Sequence, residues 1–147
     1  MSLKSFHEFL NQGIIKKQSV NKQRAKSLIK EAYDKKQFLT IALNKIPTKD
    51  MNSNFVIDSS YDIIMELIRA KMFLDGFNSS NSHEAEVSYL HKLDFSEYDV
   101  RFLDELRYNR NGIKYYGALF DKEYANKVLE FMEKIYPRLK SIIDKNA

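Results

Sequence analysis

The chain has 147 residues, 44% hydrophobic and 30% charged, with only four glycines and two prolines, a balance that excludes disordered or collagen-like sequence and predicts one ordered domain over 1–147. Cysteine is absent, which removes disulfides, thiolate nucleophiles and thiolate metal sites together; no window approaches the roughly 20 apolar residues of a membrane span, residues 1–13 lack a secretory signal pattern, and cytoplasmic localisation is the expectation. The formal charge of +4 divides into eleven basic residues against four acids in 1–50, three against nine in 51–100 and ten against seven in 101–147, a dipolar pattern suited to a polyanion, a charged partner or a second copy of the chain.

Leu3, Phe6, Phe9 and Leu10 have helical spacing and predict a short first helix from about Ser2 to Asn11, stopping near Gly13. Ala25, Leu28, Ile29, Ala32, Leu39, Leu43 and Ile46 mark a long second helix with a lysine-rich exterior. Asn21 or Ser19 caps it, and Pro47 limits its end, because the residue before proline disfavours helical geometry. Residues 48–54 read as a polar loop. Asp58 or Ser59 then caps a third helix with the apolar stripe Tyr61, Ile64, Met65, Ile68 and Met72, ending near Gly76. After a serine-asparagine turn, Ser82 opens a shorter helix carrying Val87, Tyr89 and Leu90, with a joint at 94–96.

Phe95, Tyr98, Phe102, Leu106, Ile113, Tyr116 and Phe120 recur at three and four positions and predict the core side of a fifth helix. Asn109 shares that stripe, so it needs a buried partner or a contact with another chain. Asp121 caps the last helix, whose apolar side runs from Tyr124 and Val128 to Ile142 and Ile143; Pro137 inside it predicts a bend between Glu133 and Pro137, or a division into two helices. No run alternates as a strand does, and no internal repeat is present. The fold expected is all-α, an antiparallel helical bundle of four main helices plus two short ones.

The densest chemistry lies in LRYNRNGIKYYG, residues 106–117. On an ideal helix Arg107, Arg110 and Lys114 fall within about 60 degrees, forming a basic strip able to hold phosphate by charge-assisted hydrogen bonds. The plainer alternative is that Arg107 pairs with Asp104 and the rest is solvated. Tyr116 joins the apolar stripe, whereas Tyr115 points off it and is the better base-stacking or hydroxyl-donating residue. Gly112 costs roughly 1 kcal/mol against alanine in an exposed helix interior, which a close helix approach or a kink would explain. Gly117 marks the helix end. His83 and His91, eight residues apart, would be separated by about 80 degrees and 12 Å of rise, too far for one zinc. No metal site and no cofactor is predicted.

The same twelve residues resemble the late-helix signature of HEPN domains, small helical bundles often encoded beside a minimal nucleotidyltransferase. Residues 76–84 are similar to the turn and following helix of archaeal and bacterial members, and the resemblance extends from about Ile57 to Ile143. It implies a HEPN-like bundle that forms a homodimer through its signature helices, with Asn109, Asn111 and Gly112 at the interface. It also implies a minimal nucleotidyltransferase as partner, RNA as ligand and a toxin-antitoxin-like setting. RNA-cleaving members are similar in carrying an arginine, a polar residue and then a histidine after four intervening positions. Arg110 and Asn111 match the start, but Tyr115 stands in the histidine position. A phenol of ordinary pKa about 10 does not shuttle protons near neutrality as imidazole does. The sequence therefore predicts a non-catalytic HEPN-like protein that binds a partner and contacts RNA through Arg107, Arg110, Lys114 and Tyr115. Two alternatives stand beside it: a divergent ribonuclease using Arg110 with Tyr115, or with His83 from elsewhere in the dimer, and a helical adaptor with no nucleic-acid role.

Overall fold

The structure is a computed structural model that describes residues 3–145. Six helices dominate it: α1 (Phe6–Asn11), α2 (Lys22–Lys45), α3 (Ser53–Asp75), α4 (His83–Lys92), α5 (Glu97–Tyr116) and α6 (Lys122–Asp144). Two residues of β1 (Lys16–Lys17) pair antiparallel with two of β2 (Phe77–Asn78), and a single 3-10 turn, Thr48–Asp50, bridges α2 and α3. The four long helices and two short ones make an all-α bundle. The small ladder is an addition to the expected fold.

Local chemistry sets the helix starts. Ser5, Asn21, Asn52, Ser82, Ser96 and Asp121 each accept a hydrogen bond from a backbone amide in the first turn that follows, satisfying a donor that has no intrahelical partner. Two starts differ from expectation. The first helix begins after Ser5 and not near Ser2, which lies outside the described residues. The third begins after Asn52, not at Asp58 or Ser59, because Asn52 Oδ1 accepts from the Phe55 amide at 2.9 Å and the next turn already buries Val56 and Ile57. Asp58 thereby moves into a helix interior.

α3 is the axis of the bundle. Fourteen of its 23 residues are buried, more than one stripe, because α2, α4, α5 and α6 all pack against it. Cross-helix contacts fix the directions: Lys35 meets Glu66 while Arg24 lies over Phe73, Arg110 meets Asp58 while Ala118 meets Asn54, and Lys134 meets Asp99 while Tyr124 meets Asn109. Each pair runs antiparallel, giving an up-down-up-down order. α6 continues as one helix through Pro137, which sits on its exposed side.

Gly76 ends α3 in the left-handed conformation, with φ +83°. A Cβ there would lie 2.8 Å from the Gln18 carbonyl oxygen, and the Gln18 amide donates to the Gly76 carbonyl at 2.8 Å. Glycine is required because two chain segments touch at this backbone.

The buried side of α5 follows the expected apolar stripe only in part: Phe95 and Leu106 are buried, and Phe102, Ile113 and Phe120 pack half-buried against the core. Asp99, Val100, Leu103, Leu106 and Arg110 face inward, while Tyr98 and Tyr116 are exposed. Two buried charges replace apolar residues on the inner side, and each has a counter-charge: Asp99 accepts from Lys134 at 2.7 Å and Arg110 donates to Asp58 at 2.9 Å. Asn109 bonds within the chain, its Nδ2 donating to the Tyr124 hydroxyl at 2.8 Å.

Candidate functional site

The carboxy-terminal half of α5 lies along α3 and beside the start of α4. Arg110 is buried at the centre of this junction. Its Nε donates to Asp58 Oδ1 at 2.9 Å, a terminal nitrogen reaches Asp62 Oδ1 at 3.4 Å, and the guanidinium carbon stands 5.3 Å from the Tyr61 ring centroid. Asp58 and Asp62, one helical turn apart on α3, thus clasp one arginine, the fork geometry that suits guanidinium and carboxylate. Arg107 is held by its own helix, with Nε donating to Asp104 Oδ1 at 2.9 Å.

The basic strip is consequently divided. Arg107 and Arg110 are neutralised by acids of the chain. Lys114 is exposed and forms no ion pair among the described residues, and Tyr115 is 67% exposed. The plainer expectation for Arg107 describes its geometry. Gly112 makes no close helix crossing inside the chain; a Cβ there would meet only the Ala118 side chain, at 3.4 Å, and Asn111 is half-buried.

Arg110, Lys114 and Tyr115 share a cavity of about 320 Å³ with Lys35 on α2, Glu66 on α3 and His83 at the start of α4. The cluster is polar and densely paired. Lys35 Nζ donates to Glu66 Oε1 at 2.6 Å, and Arg69 grips the fully buried Glu86 through two nitrogens at 2.7 and 2.9 Å while Ser79 donates to the same carboxylate. The Tyr61 hydroxyl is 2.9 Å from His83 Nδ1. Burial raises the Tyr61 pKa, with Arg110 opposing. Burial lowers the His83 pKa, with Arg69 and Arg110 acting in the same sense and Glu86 opposing. Asp62 is raised by burial and by Asp58, against Arg110. Glu66 is raised by burial, with the Lys35 bond opposing. A neutral imidazole beside a clasped arginine can exchange a proton or bind a polar group.

His83 is the residue whose position the sequence did not give, since it precedes the signature by more than twenty residues. His91 lies elsewhere, with Nε2 at 2.8 Å from Glu97 on the exposed side of α4. Among the described residues no group of three or more His, Cys, Asp or Glu side chains is placed to hold a metal ion, and no helix is long and apolar enough to cross a membrane.

The outward face of α5 points away from this cavity, and Tyr115 borders both. On an ideal helix Tyr98, Arg101, Glu105, Tyr108, Gly112, Tyr115 and Tyr116 fall within about 100 degrees, opposite the buried side. Tyr98, Tyr108, Tyr115 and Tyr116 are 63%, 74%, 67% and 86% exposed, and Leu119 just beyond the helix is 88% exposed. No protein-family profile, curated protein or solved structure matches the chain.

Proposed function

We propose that the chain is a non-catalytic, HEPN-like helical protein that binds a protein partner through the outward face of α5, first of all a second copy of itself. The observation that carries this reading is the row of four tyrosines on one side of α5, with Leu119 just beyond it, each more than 60% exposed. Together the tyrosines offer on the order of 600 Å² of surface, against roughly 800 Å² per partner in a standard stable interface. Arg101 and Glu105 lie within the same row, so two copies crossing on this face set opposite charges together. Gly112, at its middle, lets a second helix approach closely. The resemblance to HEPN domains supports the homodimer and adds a minimal nucleotidyltransferase as a further partner. RNA contact through α5 falls to Lys114 and Tyr115, at the cavity, since Arg107 and Arg110 are already paired.

The test is the oligomeric state of the full chain by light scattering. The expected result is a dimer that Tyr108→Glu with Tyr116→Glu converts to a folded monomer; a monomer at high micromolar concentration, or a dimer unmoved by both changes, overturns the assignment. Co-purification with the product of an adjacent nucleotidyltransferase gene tests the second partner.

One observation favours a ribonuclease as the second reading: His83 lines the same cavity as Arg110 and Tyr115 within one chain. Cleavage of mixed RNA by purified protein, lost on both His83→Ala and Arg110→Lys in variants of unchanged helical content, would select it. Cleavage absent, or insensitive to either change, retains the non-catalytic assignment.

A further inference from the structure

The outer side of α2 carries a separate run of positive charge. With Tyr33 as reference on an ideal helix, Lys22, Lys26, Lys30 and Lys36 fall within about 60 degrees. Gln37, Thr40 and Asn44 continue the stripe, and no acid lies in it. The buried side, marked by Ala25, Ala32 and Leu39, is centred about 100 degrees from Tyr33, and Lys36, at the margin toward it, is half-buried. Lys30 is paired with Asp34 at 2.8 Å, but Lys22, Lys26 and Lys36 form no ion pair among the described residues. α6 runs alongside, and between the two helices lies a groove of about 630 Å³ bordered by Lys26, Lys30, Tyr33, Tyr136 and Lys140, with Ile29 at its base. It continues past Tyr136 and Lys140 toward Ser141 and Lys145. Lys36 Nζ stands 5.1 Å from the Tyr136 ring centroid, and Tyr33 is 46% exposed. The acids at the margins are Asp34 and Asp144, which pair with Lys30 and Lys140, and Glu133 on the facing side of α6.

We propose that the α2–α6 groove binds single-stranded nucleic acid, its phosphates on Lys22, Lys26 and Lys36 and its bases against Tyr33 and Tyr136. Lysine on helix walls supplies point charges for a backbone without reading sequence, and tyrosine rings accept any base by stacking. A duplex keeps its bases stacked on one another and leaves the rings unused. A bilayer surface is flat, whereas Lys26, Tyr33 and Tyr136 border a recess that also holds Asp34 and Asp144. From Lys22 to Lys36 the stripe spans about 21 Å, enough for a short run of nucleotides. The site is independent of the α5 face, so the fate of the dimer does not decide it.

The test is fluorescence anisotropy of a labelled twelve-nucleotide single strand, RNA or DNA, titrated with the full chain at several salt concentrations. Three unpaired lysines give a slope of log K against log salt of about −2, at roughly −0.7 for each phosphate neutralised. Lys26→Ala with Lys36→Ala removes about 1.4 of that slope and weakens binding about 25-fold at 0.1 M salt. Tyr33→Ala weakens binding while the slope stays. Lys45→Ala with Lys49→Ala, removing equal charge from the far end of α2 and the turn after it, leaves affinity within about twofold. The proposal is overturned if the Lys26 and Lys36 pair of changes leaves binding as it was, if the Lys45 and Lys49 pair weakens it as much, or if Lys114→Ala accounts for the loss. It is overturned equally if a blunt duplex, polyglutamate or phosphatidylserine vesicles bind more tightly than the single strand.

Discussion

Replacing Arg110 with methionine keeps an apolar stem and deletes the guanidinium that Asp58 and Asp62 share. Removing one member of a buried ion pair costs roughly 3–5 kcal/mol. Here the two aspartate side chains are 44% and 32% exposed and can turn toward water, which brings the expected loss to about 2 kcal/mol at neutral pH. In a domain of this size that is roughly 4–8 °C in melting temperature. The pH dependence then separates the ion-pair account from simple loss of packing. Burial, followed by the neighbouring Asp58 charge, raises the Asp62 pKa, and Arg110 opposes the rise; deleting Arg110 raises it further. A carboxyl with a raised pKa takes up its proton more readily in the folded state than in the unfolded state. Acidification through that raised value therefore relieves the variant, and its deficit is full at neutral pH and shrinks toward the ordinary carboxyl value of 3.8. Urea unfolding of both proteins across this range, with Arg110→Met/Asp62→Asn as a third protein that recovers part of the loss, measures it. A variant within about 0.5 kcal/mol of the parent, or a deficit equal at all pH values, would refute the clasp and return Arg110 to the pool of cations open to an outside anion.

Gly76→Ala is expected to destabilise by about 2–4 kcal/mol, since it combines the left-handed penalty with a 2.8 Å approach to the Gln18 carbonyl. Gly13→Ala, at φ +74° with nothing within 4 Å, is expected to cost only about 1–2 kcal/mol, and denaturant unfolding of both isolates the close approach. His83 is expected to titrate below the ordinary imidazole value of 6.5 by NMR, and to move upward in Arg110→Met, because burial and then nearby guanidiniums disfavour its cation. The unfolded chain takes the proton first, so stability attributable to His83 is full above pH 6.5 and falls as the pH drops toward its lowered folded value. A His83 resonance titrating at or above 6.5 would contradict the buried placement.

Helix number and most helix limits were legible because local signals fix them. Asn21, Ser82 and Asp121 announce themselves as caps by lying just ahead of an apolar periodic run, and Gly76 by closing one. Asn52 escaped because it sits among polar residues, and the burial that justifies its helix, at Val56 and Ile57, is supplied by the rest of the bundle. The inner side of α5 was legible only in part, for a related reason. Counting apolar residues placed Tyr98 and Tyr116 inward, whereas the true inner side contains Asp99 and Arg110. Their partners, Lys134 and Asp58, lie 35 and 52 residues away in sequence. The periodicity of one helix carries no information about counter-charges that distant elements bring against it.

The same blindness governed the candidate site. Spacing correctly put Arg107, Arg110 and Lys114 near one another on one helix, but whether a cation is available depends on what packs opposite it, and α5 packs against the acidic middle third of the chain. There Asp58 and Asp62 consume Arg110, while Asp104 consumes Arg107 from within α5. The basic first third meets a different fate: α2 turns Ala25, Ala32 and Leu39 inward and leaves Lys22 and Lys26 exposed and Lys36 half-buried, with only Asp34 near the stripe. The sequence-level dipole was therefore a sound guide to the existence of an uncompensated positive surface and a poor guide to its address. Charge that is clustered in sequence survives in the fold where the helix bearing it buries small apolar residues, and is cancelled where that helix buries the charges themselves.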